Sequence, residues 1–211
     1  MKYLDFKKKV AEFPVFSSSV LTHLYENPQV LRNQLSRWEK QNLVHKLKKG
    51  LYVLNEADRK ASLSRTFIAN QIYSPSYIST EYALGFYRLI PERTADVTSV
   101  TTRKTYRVSN TFGTFVYQHI PEKVFAGFTI LQDEAKHPFL IAFPEKAMVD
   151  FIYLNLKRFT PGDSNVFEGS FRFQNLDMLK KKVLLDYAQL FGNRKLVLVI
   201  KTLLDFKEKQ K

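Results

Sequence analysis

The chain has 211 residues, of which 45% are hydrophobic and 25% are charged, as is usual for globular proteins. It contains no cysteine, which excludes disulfides and thiolate metal sites. Lysine and arginine number 33 against 20 aspartates and glutamates, so the formal net charge is +13. This excess favours a polyanionic partner, which is most often nucleic acid and less often an anionic membrane surface.

No apolar run approaches the roughly 18 residues of a membrane-spanning helix. The start of the chain also lacks the uninterrupted apolar region of a secretory signal. We therefore expect a cytoplasmic protein. The seven glycines form neither a dinucleotide-binding fingerprint, nor a P-loop, nor a nucleophile elbow.

Three helices are predicted at the start of the chain. Apolar residues recur with helical spacing from Tyr3 to Phe13, and Pro14 ends the pattern. The serines at 17–19 can cap a short second helix that ends near Tyr25. Asn27 and Pro28 predict the start of a third helix, because asparagine caps helices and proline suits their first turn.

The third helix, from Pro28 to about Gln41, is predicted to be amphipathic. Leu31, Leu35 and Trp38 form its apolar side. In a major groove, arginine can pair with guanine and asparagine or glutamine with adenine. The other positions of this helix carry such DNA-contacting side chains: Gln29, Arg32, Asn33, Ser36, Arg37 and Lys40. A solvated polar face without a ligand is the alternative.

A β-hairpin is predicted next, because the apolar runs 43–47 and 51–54 flank a basic turn that contains a glycine. Three helices followed by a hairpin predict a winged helix-turn-helix DNA-binding domain over residues 1–58. Its wing would bring basic side chains to phosphates or to the minor groove: Lys46, Lys48 and Lys49. Winged helices also bind proteins, so a protein-interaction module is an alternative.

Residues 63–211 predict a second, mixed α/β domain that ends in helices, so the expected fold class is α+β. Helical spacing covers 63–72, the residues after Ser79, the residues after Pro144, 176–190 and 194–211, although 196–200 alone could form a strand. Strand-like runs lie at 97–102, 106–108, 114–120, 128–132 and 138–142. The segment 160–170 contains Pro161, Gly162 and Gly169 and predicts a mobile loop.

Catalytic and metal sites find little support in the sequence. The four histidines are widely separated and form no metal-binding pair. Glu134-Ala135-Lys136 resembles half of a nuclease motif, but such triplets are expected by chance about twice in a chain of this composition. A metal-dependent nuclease is therefore the less favoured alternative, and no catalytic residue, metal or cofactor is assigned.

The segment Pro144-Glu145-Lys146-Ala147, followed by Asp150, predicts the start of a helix. Acidic residues in a first turn interact favourably with the helix dipole. A functional surface or a structural ion pair is the alternative explanation for these charges.

Five segments together resemble the AbiEi-type abortive-infection antitoxins. They are KKGLYVL at 48–54, PSYISTEYAL at 75–84, TSVTTRKT at 98–105, FVYQHI at 115–120 and FPEKAMVDFIY at 143–153. The resemblance spans about residues 16–155. Tyr82 departs from it, since a small residue is usual there, and so does Arg88, where glycine is common.

The resemblance implies a transcriptional repressor and antitoxin of a two-gene phage-defence module. Its winged helix would bind inverted repeats of double-stranded DNA in the module's own promoter, and we expect a homodimer on that DNA. The second domain would oppose a nucleotidyltransferase-like toxin, in some family members without stable contact. Pro144, Glu145, Lys146 and Asp150 match the family's recurring block, for which no chemistry is implied. A stand-alone transcriptional regulator is the alternative.

Overall fold

The computed structural model describes residues 2–21, 28–60 and 62–209. These residues form an α+β fold with seven α-helices and nine strands in two sheets. The helices are α1 Tyr3–Val10, α2 Pro28–Lys40, α3 Arg65–Ile72, α4 Thr80–Phe86, α5 Pro144–Leu154, α6 Lys181–Leu190 and α7 Arg194–Lys209. The strands are β1 Phe16–Ser17, β2 Val44–Lys48, β3 Leu51–Leu54, β4 Ser76–Ile78, β5 Val97–Thr101, β6 Tyr106–Asn110, β7 Gly113–His119, β8 Phe128–Gln132 and β9 Pro138–Ala142.

The first part of the chain combines α1, α2 and a small sheet. Strands β2 and β3 form the expected antiparallel hairpin, and β1 pairs with the other edge of β3. Helix α2 begins at Pro28 and buries Leu31, Leu35 and Trp38, as its apolar spacing predicts. Most of the predicted second helix, and the Asn27 cap, lie outside the described residues.

The second part contains a six-stranded mixed sheet in the order β6-β7-β5-β4-β9-β8. Its two faces are covered by different helices. Tyr77 on β4 reaches Asp150 of α5, whereas the Tyr117 hydroxyl on β7 donates to the Ala69 carbonyl of α3 at 2.6 Å. Since Tyr117 lies opposite Ser99, which lies opposite Ile78, Tyr77 and Tyr117 point to opposite faces of the sheet.

The hairpin joins two hydrophobic clusters. Val44 and Leu54 belong to the smaller cluster, which surrounds Trp38. Leu47 and Val53 belong to the larger cluster, which fills the second part of the chain. The Asn110 side-chain amide on β6 also donates to the Leu47 carbonyl at 3.0 Å. The hairpin is therefore packed on both sides.

Several predicted boundaries are wrong. Helix α1 ends at Val10, and Phe13 is 57% exposed and not part of an apolar face. Helix α6 begins only at Lys181, because Leu179 and Lys180 have extended backbones. The run 196–200, which could have formed a strand, lies inside α7.

The segment 160–170 is anchored and contains structure of its own. Residues Val166–Ser170 form a π-helical turn, and Phe167 is fully buried. Its ring stacks on Phe173 at 5.9 Å and also contacts Phe159 and Phe206. The aromatic residues outweigh the proline and glycine signals from which a mobile loop was predicted.

Candidate nucleic-acid interface

Helix α2 has two chemically different sides. Its apolar side packs into the smaller cluster, and the opposite side carries exposed polar residues because residues three or four apart share a helix face. We call this exposed set the α2 polar face: Gln29, Arg32, Asn33, Ser36, Arg37 and Lys40. All six side chains of α2 that are predicted to contact DNA are thus accessible to solvent.

The described carboxylates do not neutralise the positive charge of the α2 polar face. Among residues 2–21, 28–60 and 62–209, no carboxylate lies within 4.0 Å of the charged groups of Arg32, Arg37 or Lys40. Arg32 Nη1 donates to Gln29 Oε1 at 3.2 Å, and Gln29 Nε2 donates to Asn33 Oδ1 at 2.9 Å. These side-chain hydrogen bonds orient neutral and charged groups together on one turn.

The three hairpin lysines have different environments. Lys46 and Lys49 are exposed. Lys48 is only partly exposed, and its Nζ lies 6.0 Å from the centre of the Tyr73 ring. The Arg103 guanidinium lies 4.9 Å from the same ring centre. Burial, and then repulsion from Arg103, lower the pKa of Lys48.

Arg103 is a basic neighbour of the hairpin that the sequence pattern did not single out. It belongs to the turn after β5, and its Nη1 donates to the Ser74 carbonyl at 3.1 Å. The only sequence signal was the dipeptide Arg103-Lys104 after a predicted strand. Its proximity to Lys48 results from the packing of β2 against β6.

The block that begins at Pro144 lies in the interior. Pro144 occupies the first turn of α5, as its fixed φ favours. Glu145 is 7% exposed, Lys146 1% and Asp150 0%. The alternative of a functional surface is therefore wrong for these three charged residues, and the alternative of a structural ion pair is confirmed, since Lys146 Nζ contacts Asp150 Oδ1.

Asp150 is the centre of a buried hydrogen-bond network. Its Oδ2 accepts from the Tyr77 hydroxyl at 3.0 Å and from the Ser79 hydroxyl at 2.8 Å. The Lys146 ammonium also lies 5.5 Å from the Tyr77 ring centre and 5.1 Å from that of Phe191. Burial raises the pKa of Asp150 and lowers the pKa of Lys146, while their mutual attraction opposes both shifts.

Because of this network, Ser79 does not cap helix α4 with its hydroxyl. Ser79 occupies the N-cap position of α4, but its hydroxyl makes no cap hydrogen bond. Instead, Thr98 Oγ1 accepts from the Tyr82 amide at 3.0 Å and donates to the Ser79 carbonyl at 2.9 Å. Hydrogen bonds therefore connect 75–84, 98–105 and 143–153, which are three of the five segments that resemble AbiEi-type proteins. Glu145 extends it by accepting the Lys180 amide at 3.0 Å.

The triplet from Glu134 to Lys136 lies in the turn between β8 and β9. The preceding Asp133 accepts from the Ser64 hydroxyl and from the His137 amide, the latter at 2.8 Å, so it stabilises the turn. The part of the chain that the structure describes contains no group of three His, Asp or Glu residues placed to hold a metal ion.

The residues predicted to contact DNA on α2 and the charged block of α5 lie in separate parts of the fold. The α2 polar face belongs to the helix that packs on the smaller cluster, whereas α5 and its charged block lie in the larger one.

Comparisons with models of known protein families and with curated proteins find no match to this chain. Within the described ranges, none of the helices has the length and hydrophobicity that a membrane crossing requires.

Proposed function

We propose that the protein is a DNA-binding transcriptional repressor whose residues 1–58 act as a winged helix-turn-helix domain. The observation that carries this proposal is the α2 polar face, which is exposed and basic; among the described residues, no carboxylate pairs with the charged groups of Arg32, Arg37 and Lys40. A helix with this composition suits the major groove, where its arginines and amides can contact base edges. Lys46 and Lys49, exposed on the adjacent hairpin, suit contacts to phosphates.

The charge of the whole chain supports the same function. A net charge of +13 attracts a polyanion at long range and raises its rate of association. Residues 1–60 hold 12 lysines and arginines against 6 acidic residues, which is about twice the basic excess per residue of the remaining chain. The basic excess is therefore concentrated where the α2 polar face lies.

We further propose that this repressor is also the antitoxin of a two-gene abortive-infection module, located in the cytoplasm. The support is the order of the five segments that resemble AbiEi-type proteins, and three of these segments meet around Asp150. The protein would bind an inverted repeat in its own promoter as a homodimer and would oppose a nucleotidyltransferase-like toxin. A stand-alone regulator is the alternative, and growth rescue on co-expression with the product of the neighbouring gene separates the two.

The test of DNA binding is the double substitution Arg32→Ala and Arg37→Ala. Each bidentate base contact is worth about 1–3 kcal/mol, so the double variant should lose about 2–6 kcal/mol of specific affinity. Binding is measured by gel shift or fluorescence anisotropy on a duplex from the region upstream of the protein's own gene, at fixed salt.

The control removes the same charge elsewhere through Lys180→Ala and Lys182→Ala, which are both exposed on or beside α6. This control should lose only the general electrostatic attraction and should keep its preference for the upstream duplex. Equal affinity of the Arg32/Arg37 variant and the parent would refute the role of α2.

A further inference from the structure

A basic cleft lies away from the α2 polar face, between α4 and the residues that follow it. Its volume is about 640 Å³, within the range of small-molecule sites. Three arginines line it together with two aromatic rings: Arg65, Arg88, Arg93, Tyr82 and Phe86. We call it the arginine cleft. The DNA-binding proposal makes no use of it.

The arginines of this cleft form no ion pair with a described acidic residue. In the described part of the chain, no carboxylate lies within 4.0 Å of the guanidinium groups of Arg65, Arg88 or Arg93, and none lines the cleft. The nearby Glu92 is instead paired with Arg172. Three unpaired positive side chains in the lining of one cleft favour the binding of an anion.

Two glycines, Gly113 and Gly85, lie very close to groups beside the cleft. The Arg65 guanidinium lies against Gly113, where a Cβ would come within 2.8 Å of Nη2, and this Nη2 donates to the Ala95 carbonyl. The Glu92 carbonyl similarly lies 2.9 Å from where a Cβ of Gly85 would be. The absence of side chains at Gly85 and Gly113 therefore allows the Glu92 carbonyl and the Arg65 guanidinium to lie this close.

Arg88 is held in an unfavourable backbone conformation. Its φ is +58°, which disfavours every residue with a Cβ, and glycine would adopt it without strain. Its carbonyl accepts from the side-chain amides of Gln174 and Asn175, at 3.2 and 2.8 Å. The Arg88 side chain is exposed at this position, where the backbone conformation alone would favour glycine.

The aromatic residues supply an apolar surface beside the charges. Phe86 is 48% exposed, although it packs edge-on against Tyr87 at 5.2 Å between ring centres. Tyr82 is partly buried and lines the cleft next to it. An aromatic ring can stack on such a surface while arginines bind phosphate with paired N–H donors.

We propose that the arginine cleft binds a free nucleoside polyphosphate, with the phosphates on Arg65, Arg88 and Arg93 and the base against Phe86 and Tyr82. The cleft has the size of a small-molecule site, whereas duplex DNA is too wide to enter it. This site is independent of the α2 polar face and does not depend on DNA binding.

The experiment titrates the full-length protein into the fluorescent nucleotide mant-ATP at about 0.15 M salt, where long-range attraction is screened. Saturable binding, displaced by ATP and not by adenosine or pyrophosphate alone, is the expected result. The cleft variant combines Arg88→Gly, which relieves the backbone strain, with Arg93→Ala. It should bind mant-ATP about tenfold more weakly or worse, since two charge-assisted contacts are lost.

The matched control removes two exposed charges outside the cleft lining through Arg194→Ala and Lys195→Ala, and should bind mant-ATP like the parent. The cleft variant should lose no more affinity for duplex DNA than the Lys180/Lys182 variant and should keep the parent's preference for the upstream duplex. The proposal is overturned if the parent shows no saturable binding, if the control weakens as much as the cleft variant, or if adenosine or pyrophosphate competes as well as ATP. Stronger displacement by a single-stranded oligonucleotide would also overturn it.

Discussion

Asp150 is a fully buried carboxylate whose interactions all come from within the chain. Lys146, Tyr77 and Ser79 contact its two oxygens. Such a group is costly to bury and becomes more costly when a partner is removed, because the remaining charge stays out of water. The network therefore holds α5 against β4 in one specific position.

Replacing Asp150 with asparagine should destabilise the fold strongly. The substitution leaves the Lys146 ammonium buried without a counter-charge, and breaking such a pair costs about 3–5 kcal/mol. The free energy of unfolding in urea measures this loss. Asp186→Asn, on the exposed side of α6, is the control and should change stability by no more than about 0.5 kcal/mol. A loss below about 1 kcal/mol for Asp150→Asn would contradict a structural role for the pair.

Individual side chains were the hardest feature to predict from sequence. Ser79 stands where a helix cap is expected, yet its hydroxyl is used by Asp150, which is 71 residues away in the chain. The buried charges at 145–150 fitted both a helix start and an ion pair, and only the packing of α5 separates these interpretations. Sequence spacing carries no information about such long-range partners.

The hairpin β2–β3 presents its lysines to two different environments. Lys46 and Lys49 are exposed, whereas Lys48 is turned towards Tyr73 and Arg103. If the hairpin acts as a wing, the exposed Lys46 and Lys49 are better placed than the partly buried Lys48 to contact a phosphate.

The double substitution Lys46→Ala and Lys49→Ala should therefore weaken binding to duplexes of any sequence. Each lost phosphate contact reduces the slope of log K against log salt by about 0.9, so the slope should become shallower by about 2. Fluorescence anisotropy at several salt concentrations gives this slope. Lys48→Ala, which removes a half-buried lysine from the same hairpin, should change it much less. An unchanged slope for the Lys46/Lys49 variant would exclude these lysines from the interface.

Helices and strands with a regular spacing of apolar residues were predictable from the sequence. Elements whose position depends on contacts with distant parts of the chain were not. The apolar side of α2 follows directly from Leu31, Leu35 and Trp38. Strand β4 has only three residues and was missed, although it lies inside the six-stranded sheet, because its pairing with β5 and β9 leaves no local periodic signal. Helix α6 begins later than its apolar spacing suggests because Leu179 and Lys180 have extended backbones.

At the scale of the whole molecule, the hairpin belongs to both hydrophobic clusters. Leu47 and Val53 are buried in the larger cluster, while Val44 and Leu54 are buried in the smaller one. Two parts that share a buried hairpin are expected to unfold together, although the order of the predicted helices and strands indicates two domains at 1–58 and 63–211. The sequence pattern could not indicate that the hairpin of the first predicted domain packs against the second.

Trp38 is the single tryptophan of the chain and lies in the smaller cluster, so its fluorescence reports on that part alone. Leu203 on α7 is 1% exposed and belongs to the larger cluster. Leu203→Ala should destabilise that cluster by about 2–5 kcal/mol. Because the clusters share the hairpin, the Trp38 transition in urea should shift to lower concentration together with the far-ultraviolet circular dichroism transition.

Leu198→Ala, on the same helix but 41% exposed, is the control and should shift neither transition appreciably. If the Trp38 transition stayed in place while the dichroism transition moved, the two parts would be independent, and the hairpin could leave the larger part when DNA is bound.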